Sequence, residues 1–338
     1  MNKKNFLFVA LASMMLATSC SQDNDLVSNV SSNKIALFPS VDKPNGSRAV
    51  ETTTANLTQF RTYAFQDGQS NYIDNVLYTG KSNAWSTDAG TFYWPVSGDL
   101  RFYCYAPDAP GKAGSFAINS SAQKLTGFIP NETAATQKDF IYAQASGNLT
   151  TNGTSGLNIN FQHALSEVSV KAKNSNTAYT VEVTGVKFGN IVSKGDFTFP
   201  STTGTTAATW TLGTDKTAYT TEWETADKLS NTVASLNAAN VPFMLIPQQL
   251  ATNAKAASGS YIALKVKVTM QGGKVVHNDW AYVALSTKWE MGKHYVYTLD
   301  FSNGAGQDKD GNSIISGTGI KLNVTVTAWS QAAQNVQG

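Results

Sequence analysis

The sequence predicts an all-β protein of two β-sandwich domains with one or two short helices. Three observations carry that expectation. Apolar residues alternate with period two in short runs through most of the chain, the pattern of half-buried strands. Gly and Asn turns punctuate the runs, as in sandwiches. Charged residues make up only 14% of the 338 residues, below the roughly 25% of an average globular domain. Ser, Thr, Asn and Gly fill the gap, a mix that suits strands and turns. Hydrophobic residues at 41% are enough for a core, and the length suits one or two domains.

The first element is a targeting segment. Lys3 and Lys4 form a basic head, and Phe6 to Ala17 is an apolar run too short to span a bilayer. It ends Ala17-Thr18-Ser19-Cys20, followed by the polar stretch Ser21-Gln22-Asp23-Asn24-Asp25. Small residues before a lone cysteine read as a bacterial lipoprotein signal over residues 1–19, cut before Cys20, whose sulfur would carry lipid. Exported protein and outer-membrane attachment through Cys20 are the resulting expectations. Removing residues 1–19 takes away Lys3 and Lys4 and leaves 23 basic against 23 acidic residues. A neutral chain without a basic patch argues against nucleic acid as a partner. With Cys20 lipidated, Cys104 stands alone and reads as a small buried apolar residue rather than a disulfide partner.

Residues 21–34 are polar and read as a tether. Lys34 to Val41 is a short apolar strand candidate, followed by the turn-rich Asp42-Lys43-Pro44-Asn45-Gly46-Ser47-Arg48-Ala49. Period-two runs then include Phe60-Tyr63-Phe65, Ile73-Val76-Leu77-Tyr78, Phe92-Tyr93-Trp94 and Leu100-Phe102-Cys104. A second strand-rich region begins at Leu157-Ile159-Phe161 and continues through Val168-Val170, Val181-Val183, Phe197-Phe199, Tyr261 to Met270, Trp280-Tyr282 and Tyr295 to Phe301. Helix is expected only as a turn near Ala164-Leu165-Ser166 and over Asp227 to Ala239. Gly147 to Gly156, rich in Gly, Thr and Asn, reads as a linker or long hairpin. It divides an N-terminal sandwich (49–155) from a C-terminal one (156–338). The last strand, Ile320 to Trp329, alternates: Ile320, Leu322, Val324, Val326 and Ala328 share a face expected to lie on a core.

No enzyme signature stands out. His163, His277 and His294 lie in no metal-binding or triad motif, and His163 reads as a hydrogen-bonded structural residue. No cofactor is implied. Asp308, Asp310 and Asn312 match the first three side-chain positions of a calcium loop, but Ser313 and Gly319 break the pattern at positions 6 and 12. An Asp/Asn-Gly turn between strands explains the stretch without metal. Trp85, Tyr93, Trp94, Tyr103 and Tyr105 could form a sugar-stacking platform or, more commonly, pack into a core.

Several blocks of the chain together resemble the fimbrillin family, the Mfa-like or type V pilins of Bacteroidota. They are Leu77-Tyr78-Thr79, Trp85, Phe92-Tyr93-Trp94-Pro95 and Leu100-Arg101-Phe102-Tyr103-Cys104-Tyr105-Ala106-Pro107. Lys138-Asp139-Phe140-Ile141-Tyr142-Ala143, Phe161-Gln162-His163-Ala164-Leu165-Ser166, Phe243-Met244-Leu245-Ile246-Pro247-Gln248 and Trp289-Glu290-Met291-Gly292-Lys293-His294-Tyr295 follow in order. The resemblance implies transthyretin-like sandwiches and a polymerising role at the outer membrane and in a surface fimbrium. It implies that an arginine-directed protease removes a first strand and that the C-terminal strand of a neighbouring subunit fills the vacated groove. On this chain the removable strand would carry Ile35, Leu37 and Val41, within a tether-and-strand segment 20–48. Cleavage would fall between Arg48 and Ala49. The donor candidates are Val324, Val326, Ala328, Ala332 and Val336. Expected partners are other fimbrial subunits and a host or bacterial surface ligand. The competing expectation is a non-polymerising surface lipoprotein that binds glycans through exposed aromatics.

Overall fold

The computed structural model describes residues 33–41, 52–82, 84–201, 206–236, 241–315 and 319–328. Along them run β1 (Leu37–Val41), β2 (Gln59–Phe65), β3 (Asn71–Lys81), β4 (Ala84–Ser86), β5 (Leu100–Ala106), β6 (Ala113–Ile118), β7 (Gln123–Ile129) and β8 (Ile141–Gly147). After the single helical turn α1 (Leu149–Asn152) come β9 (Leu157–His163), β10 (Ser166–Lys173), β11 (Tyr179–Val192), β12 (Gly195–Thr198), β13 (Thr209–Leu212), β14 (Lys216–Lys228), β15 (Ala234–Ser235) and β16 (Phe243–Leu245). The chain ends in β17 (Tyr261–Met270), β18 (Val275–Ala284), β19 (Lys293–Asp300) and β20 (Lys321–Ala328).

These strands form four sheets. One has seven strands in the order β1-β9-β8-β5-β2-β3-β4. A second, β13-β12-β7-β6, lies across it. The other two are β15-β10-β19-β20, with β16 also paired to β10, and β14-β11-β17-β18. The predicted all-β architecture of sandwich-like layers is what forms, with lone helical turns between strands.

β5 shows how the first body is layered. Its sequence Leu-Arg-Phe-Tyr-Cys-Tyr-Ala is buried on both faces from Phe102 onward. Phe102, Cys104 and Ala106 point into one core with Phe60, Ile73 and Phe161. Tyr103 and Tyr105 point into another, shared with Phe140, which precedes β8, and with Phe128 and Phe197 of the covering layer. The second body closes Val168 and Val170 of β10 and Tyr295, Tyr297 and Leu299 of β19 against Val183, Phe188, Leu264 and Val266 of the facing sheet.

The covering layer is assembled from distant sequence. β12 pairs with β7, Phe197 opposite Leu125 and Thr198 opposite Lys124, and β13 pairs with β12. Residues from both sides of the expected division at 155/156 therefore share one sheet and one core.

Two helix expectations are corrected. Over Asp227 to Ala239 the structure has the end of β14 and then β15 among the described residues, not a helix. The Thr-, Tyr- and Trp-rich start of β14 sets up a long strand on β11. Its register carries on to Val183 opposite Asp227 and Glu182 opposite Lys228, an attractive cross-strand charge pair. Tertiary pairing thus overrides the helix preference of Ala, Lys and Leu. At Ala164-Leu165-Ser166 the chain passes directly from β9 to β10, and both apolar residues are buried in the core. The stretch read as a linker or long hairpin joins the antiparallel neighbours β8 and β9, as a hairpin connection does, and contains α1, capped by the Asn148 side chain, which accepts the Thr151 N–H.

Cys104 is fully buried, its sulfur 3.5 Å from the Thr62 hydroxyl. Burial pushes its thiol up to about 12, so almost no thiolate exists at neutral pH. Iodoacetamide at pH 8 should leave Cys104 unlabelled in the folded protein and label it in denaturant; intact mass spectrometry checks this.

Candidate functional site

The seven-stranded sheet is strongly curled, and β1 is what completes the curl. Phe60 on β2 and Phe161 on β9 have ring centroids 5.5 Å apart although β5 and β8 lie between their strands. In a flat sheet three spacings would separate them by about 14 Å. The two edges meet around β1. On one side β1 pairs in parallel with β9, Leu37 opposite Leu157 through Val41 opposite Phe161. On the other, the chain just before β1 bonds the segment that follows β4. Ile35 N–H donates to the Phe92 carbonyl at 2.9 Å, and Trp94 N–H donates to the Asn33 carbonyl at 2.8 Å.

β1 has the sequence Leu-Phe-Pro-Ser-Val and buries every second residue. Ile35, Leu37 and Val41 are each at most 4% exposed and belong to the same core as Phe60, Trp94 and Phe161. Burying them stabilises the fold by about 1.5–3 kcal/mol each. Phe38 faces the other way and lies over Gly156, where a Cβ would stand 2.2 Å from its ring and where φ is +71°. Only glycine suits that position. Ala36 accepts from Leu157 N–H, so a period of two turns the backbone nitrogen of Pro39 away from β9. Proline, which has no N–H to donate, is tolerated there because β1 is an edge.

The C-terminal end of β1 is fastened by a side chain. The Thr54 hydroxyl accepts from Val41 N–H at 2.8 Å and donates to the Val41 carbonyl at 3.2 Å. Close by, Asp139 and His163 form a buried pair. His163 Nδ1 lies 2.9 and 3.0 Å from the two carboxylate oxygens, and both side chains are almost fully enclosed. Asp139 Oδ2 also accepts the Thr52 N–H at 2.8 Å. His163 is therefore a hydrogen-bonded structural histidine at the end of β9.

The sequence-predicted positions fall as follows. Ile35, Leu37 and Val41 come together in β1. Cys20, Arg48, Ala49, Ala332 and Val336 lie outside the described residues. Val324, Val326 and Ala328 lie on β20, antiparallel to β19, with Val324 opposite Tyr297 and Val326 opposite Tyr295. The strand exists as expected, but its apolar face is not on a core beyond its start. Leu322 is partly buried, whereas Val324 is 42% and Val326 47% exposed. β20 is the outermost strand of its sheet, and among the described residues no facing layer covers these two valines.

At the calcium-like turn, Asp308 Oδ1 accepts the amides of Asp310 and Asn312, and Oδ2 accepts the Asn312 side-chain N–H. Asp310 contacts Lys309 and Lys255. These bonds hold the turn, and among the described residues no group of three His, Cys, Asp or Glu side chains is placed to hold a metal. The sugar-platform candidates are mostly spent on packing. Trp94, Tyr103 and Tyr105 are buried, Trp85 packs on Phe60, and only Tyr93 is well exposed. Among the described residues no helix is long and apolar enough to cross a membrane.

Sequence reasoning missed Thr52, Thr54 and the pairing of Asp139 with His163. The last was accessible in principle, because each residue sits in one of the blocks quoted above. Nothing in the sequence marks Thr54 among so many threonines.

The family model described as fimbrillin-like matches residues 47–329. The chain belongs to the fimbrillin-like family. The match begins one residue before Arg48 and leaves β1 outside. No curated protein matches the chain. Among solved structures, a candidate cell adhesion protein from Bacteroides uniformis is similar at 17% identity, with a TM-score of 0.50 over 88% of this chain and 98% of that one. Another from Bacteroides ovatus is 16% identical, with a TM-score of 0.51 over 88% and 97% of the two chains. At such identities these likenesses establish a shared fold. Membership in the fimbrillin-like family makes this a fimbrial, adhesion-type subunit of the cell surface.

Two substitutions separate the seated strand from the open one. Leu37→Ala should lower stability by about 2–5 kcal/mol, as large-to-small changes in cores do. Val324→Ala, on an uncovered face, should change it by no more than about 0.5 kcal/mol. Urea unfolding followed by tryptophan fluorescence reads both.

Proposed function

We propose that this chain is a structural subunit of a surface fimbria, assembled by donor-strand exchange after its first strand is cut free, and serving adhesion. The observation that carries the reading is β1. It is an edge strand with deeply buried side chains, its sequence leads into a turn-rich stretch containing an arginine, and its loss would open both a backbone edge and an apolar slot. Exposed edges with adjoining pockets accept an added strand.

The distribution of arginines supports the cut. The sequence has three: Arg48, Arg61 and Arg101. Arg61 lies within β2 and pairs with Asp108, and Arg101 lies within β5 and pairs with Asp67. An arginine-directed protease would therefore find two of its three targets held inside the sheet. Hydrolysis would add water across the Arg48–Ala49 bond, giving a carboxylate on Arg48 and an amine on Ala49. Residues 20–48, with the lipid on Cys20, would leave with β1.

The donor would come from the C-terminal region of a neighbouring copy or a different subunit. β20 offers Val324 and Val326 uncovered, and Ala328, Ala332 and Val336 follow on the same chain. Before maturation Cys20 would hold the precursor at the outer membrane.

N-terminal sequencing of protein released from native cells should read from Ala49, and the same material should run as multimers that survive mild detergent. A terminus at lipidated Cys20 on all assembled material would overturn the proposal. With Arg48→Ala, precursor should accumulate and multimers should fall at least tenfold.

A further inference from the structure

The chain on either side of the Arg48 loop is fastened to the body at two points that differ in kind. Upstream, the end of β1 is paired with β9 through Val41 opposite Phe161 and by the Ser40 hydroxyl donating to Asn160 Oδ1, while its open side is bonded by one further hydroxyl. Thr54 Oγ1 both accepts from and donates to the backbone of Val41. It fills the place that a neighbouring strand would occupy at the open side of β1. Downstream, Thr52 N–H donates to Asp139, whose carboxylate is enclosed and bonded to His163. Thr54 and Val41 lie on opposite sides of the Arg48–Ala49 bond, so their bonds tie together the two pieces that cleavage would create.

We infer that Thr54 is a latch that keeps the first strand seated after the loop is cut, while Asp139 and His163 anchor the newly created end to the body. This rests on the strand-exchange reading above. The latch is a positioning device: it does not touch the scissile bond. Cleavage then leaves a nicked subunit whose groove is still filled, protected from collapse and from unspecific strand pairing. The groove opens only when β1 is displaced. Opening at the Thr54 end needs the two hydrogen bonds to this hydroxyl to break together with the β9 pairing and the Ser40–Asn160 bond. The anchor is harder to lose, because a Thr52 amide withdrawn from Asp139 would leave an enclosed acceptor without its donor, and the chain after Thr52 continues into β2. The asymmetry sends β1 away and leaves the rest of the chain in place.

The test uses the full soluble chain from Ser21, nicked with an arginine-specific protease, with a fluorophore on the N-terminal fragment. Release is followed after adding an excess of unlabelled synthetic peptide covering residues 33–48. Thr54→Val should be nicked at the same rate as the parent but should release its fragment about tenfold faster, the equivalent of roughly 1.4 kcal/mol. Thr54→Ser, which restores the hydroxyl, should return to the parent rate. Asp139→Asn should leave release unchanged while speeding hydrogen exchange at the Thr52 amide. Equal release from the parent and Thr54→Val, with uncut stabilities matched, overturns the latch but leaves strand exchange standing. No release from either protein, or no nick at Arg48, overturns the strand-exchange reading and the latch with it.

Discussion

Burial of β1 inside the curled seven-stranded sheet is the constraint on which the N-terminal body depends. The strand is short, yet it touches both ends of the sheet's order: β9 along its length and the segment after β4 at its start. Its alternate side chains complete a core in which aromatic rings from distant strands meet. A barrel-like interior cannot be closed without something in that place. The residues that line the slot, among them Phe60, Ile159 and Phe161, are apolar and have no use in water. A vacated slot would be unstable in isolation, and this makes replacement of one strand by another chemically reasonable.

Much of the fold was legible because most strands have one buried and one wet face, and alternation reports that directly. β9 is the clearest case: every odd residue from Leu157 to His163 is buried and every even one exposed. Legibility failed where neighbours decide. The stretch from Asp227 to Ala239 looked helical because Asp, Lys and Ala carry no strand preference; pairing along β11 keeps its start extended as the end of β14. β20 alternates as cleanly as β9, but periodicity tells which residues share a face, not whether a layer arrives to cover it. β12 pairs with β7 across some seventy residues of sequence, a contact that no local signal reports.

For the candidate site the division is sharper. The apolar strand before a turn-rich arginine loop was visible as composition. The groove it fills was not, because its walls come from β2, β3, β5 and β9. The polar fastenings at its end were equally hidden. Thr54 reaches back thirteen residues to Val41, and Asp139 meets His163 across twenty-four. Such bonds satisfy backbone groups at an unpaired edge, and their partners are chosen by where the chain happens to return.

The sheet β13-β12-β7-β6 bears on mechanics. Its strands are drawn from both halves of the chain, and Phe197 and Trp210 from the later half pack on Phe128 and Phe140 from the earlier. Two beads joined by a tether can swivel, and a filament of them bends at every joint. Here bending between the halves would have to tear a hydrogen-bonded ladder and expose aromatic surface. Each subunit therefore behaves as one stiff segment, and any compliance in a filament built from it would reside at the junctions between subunits.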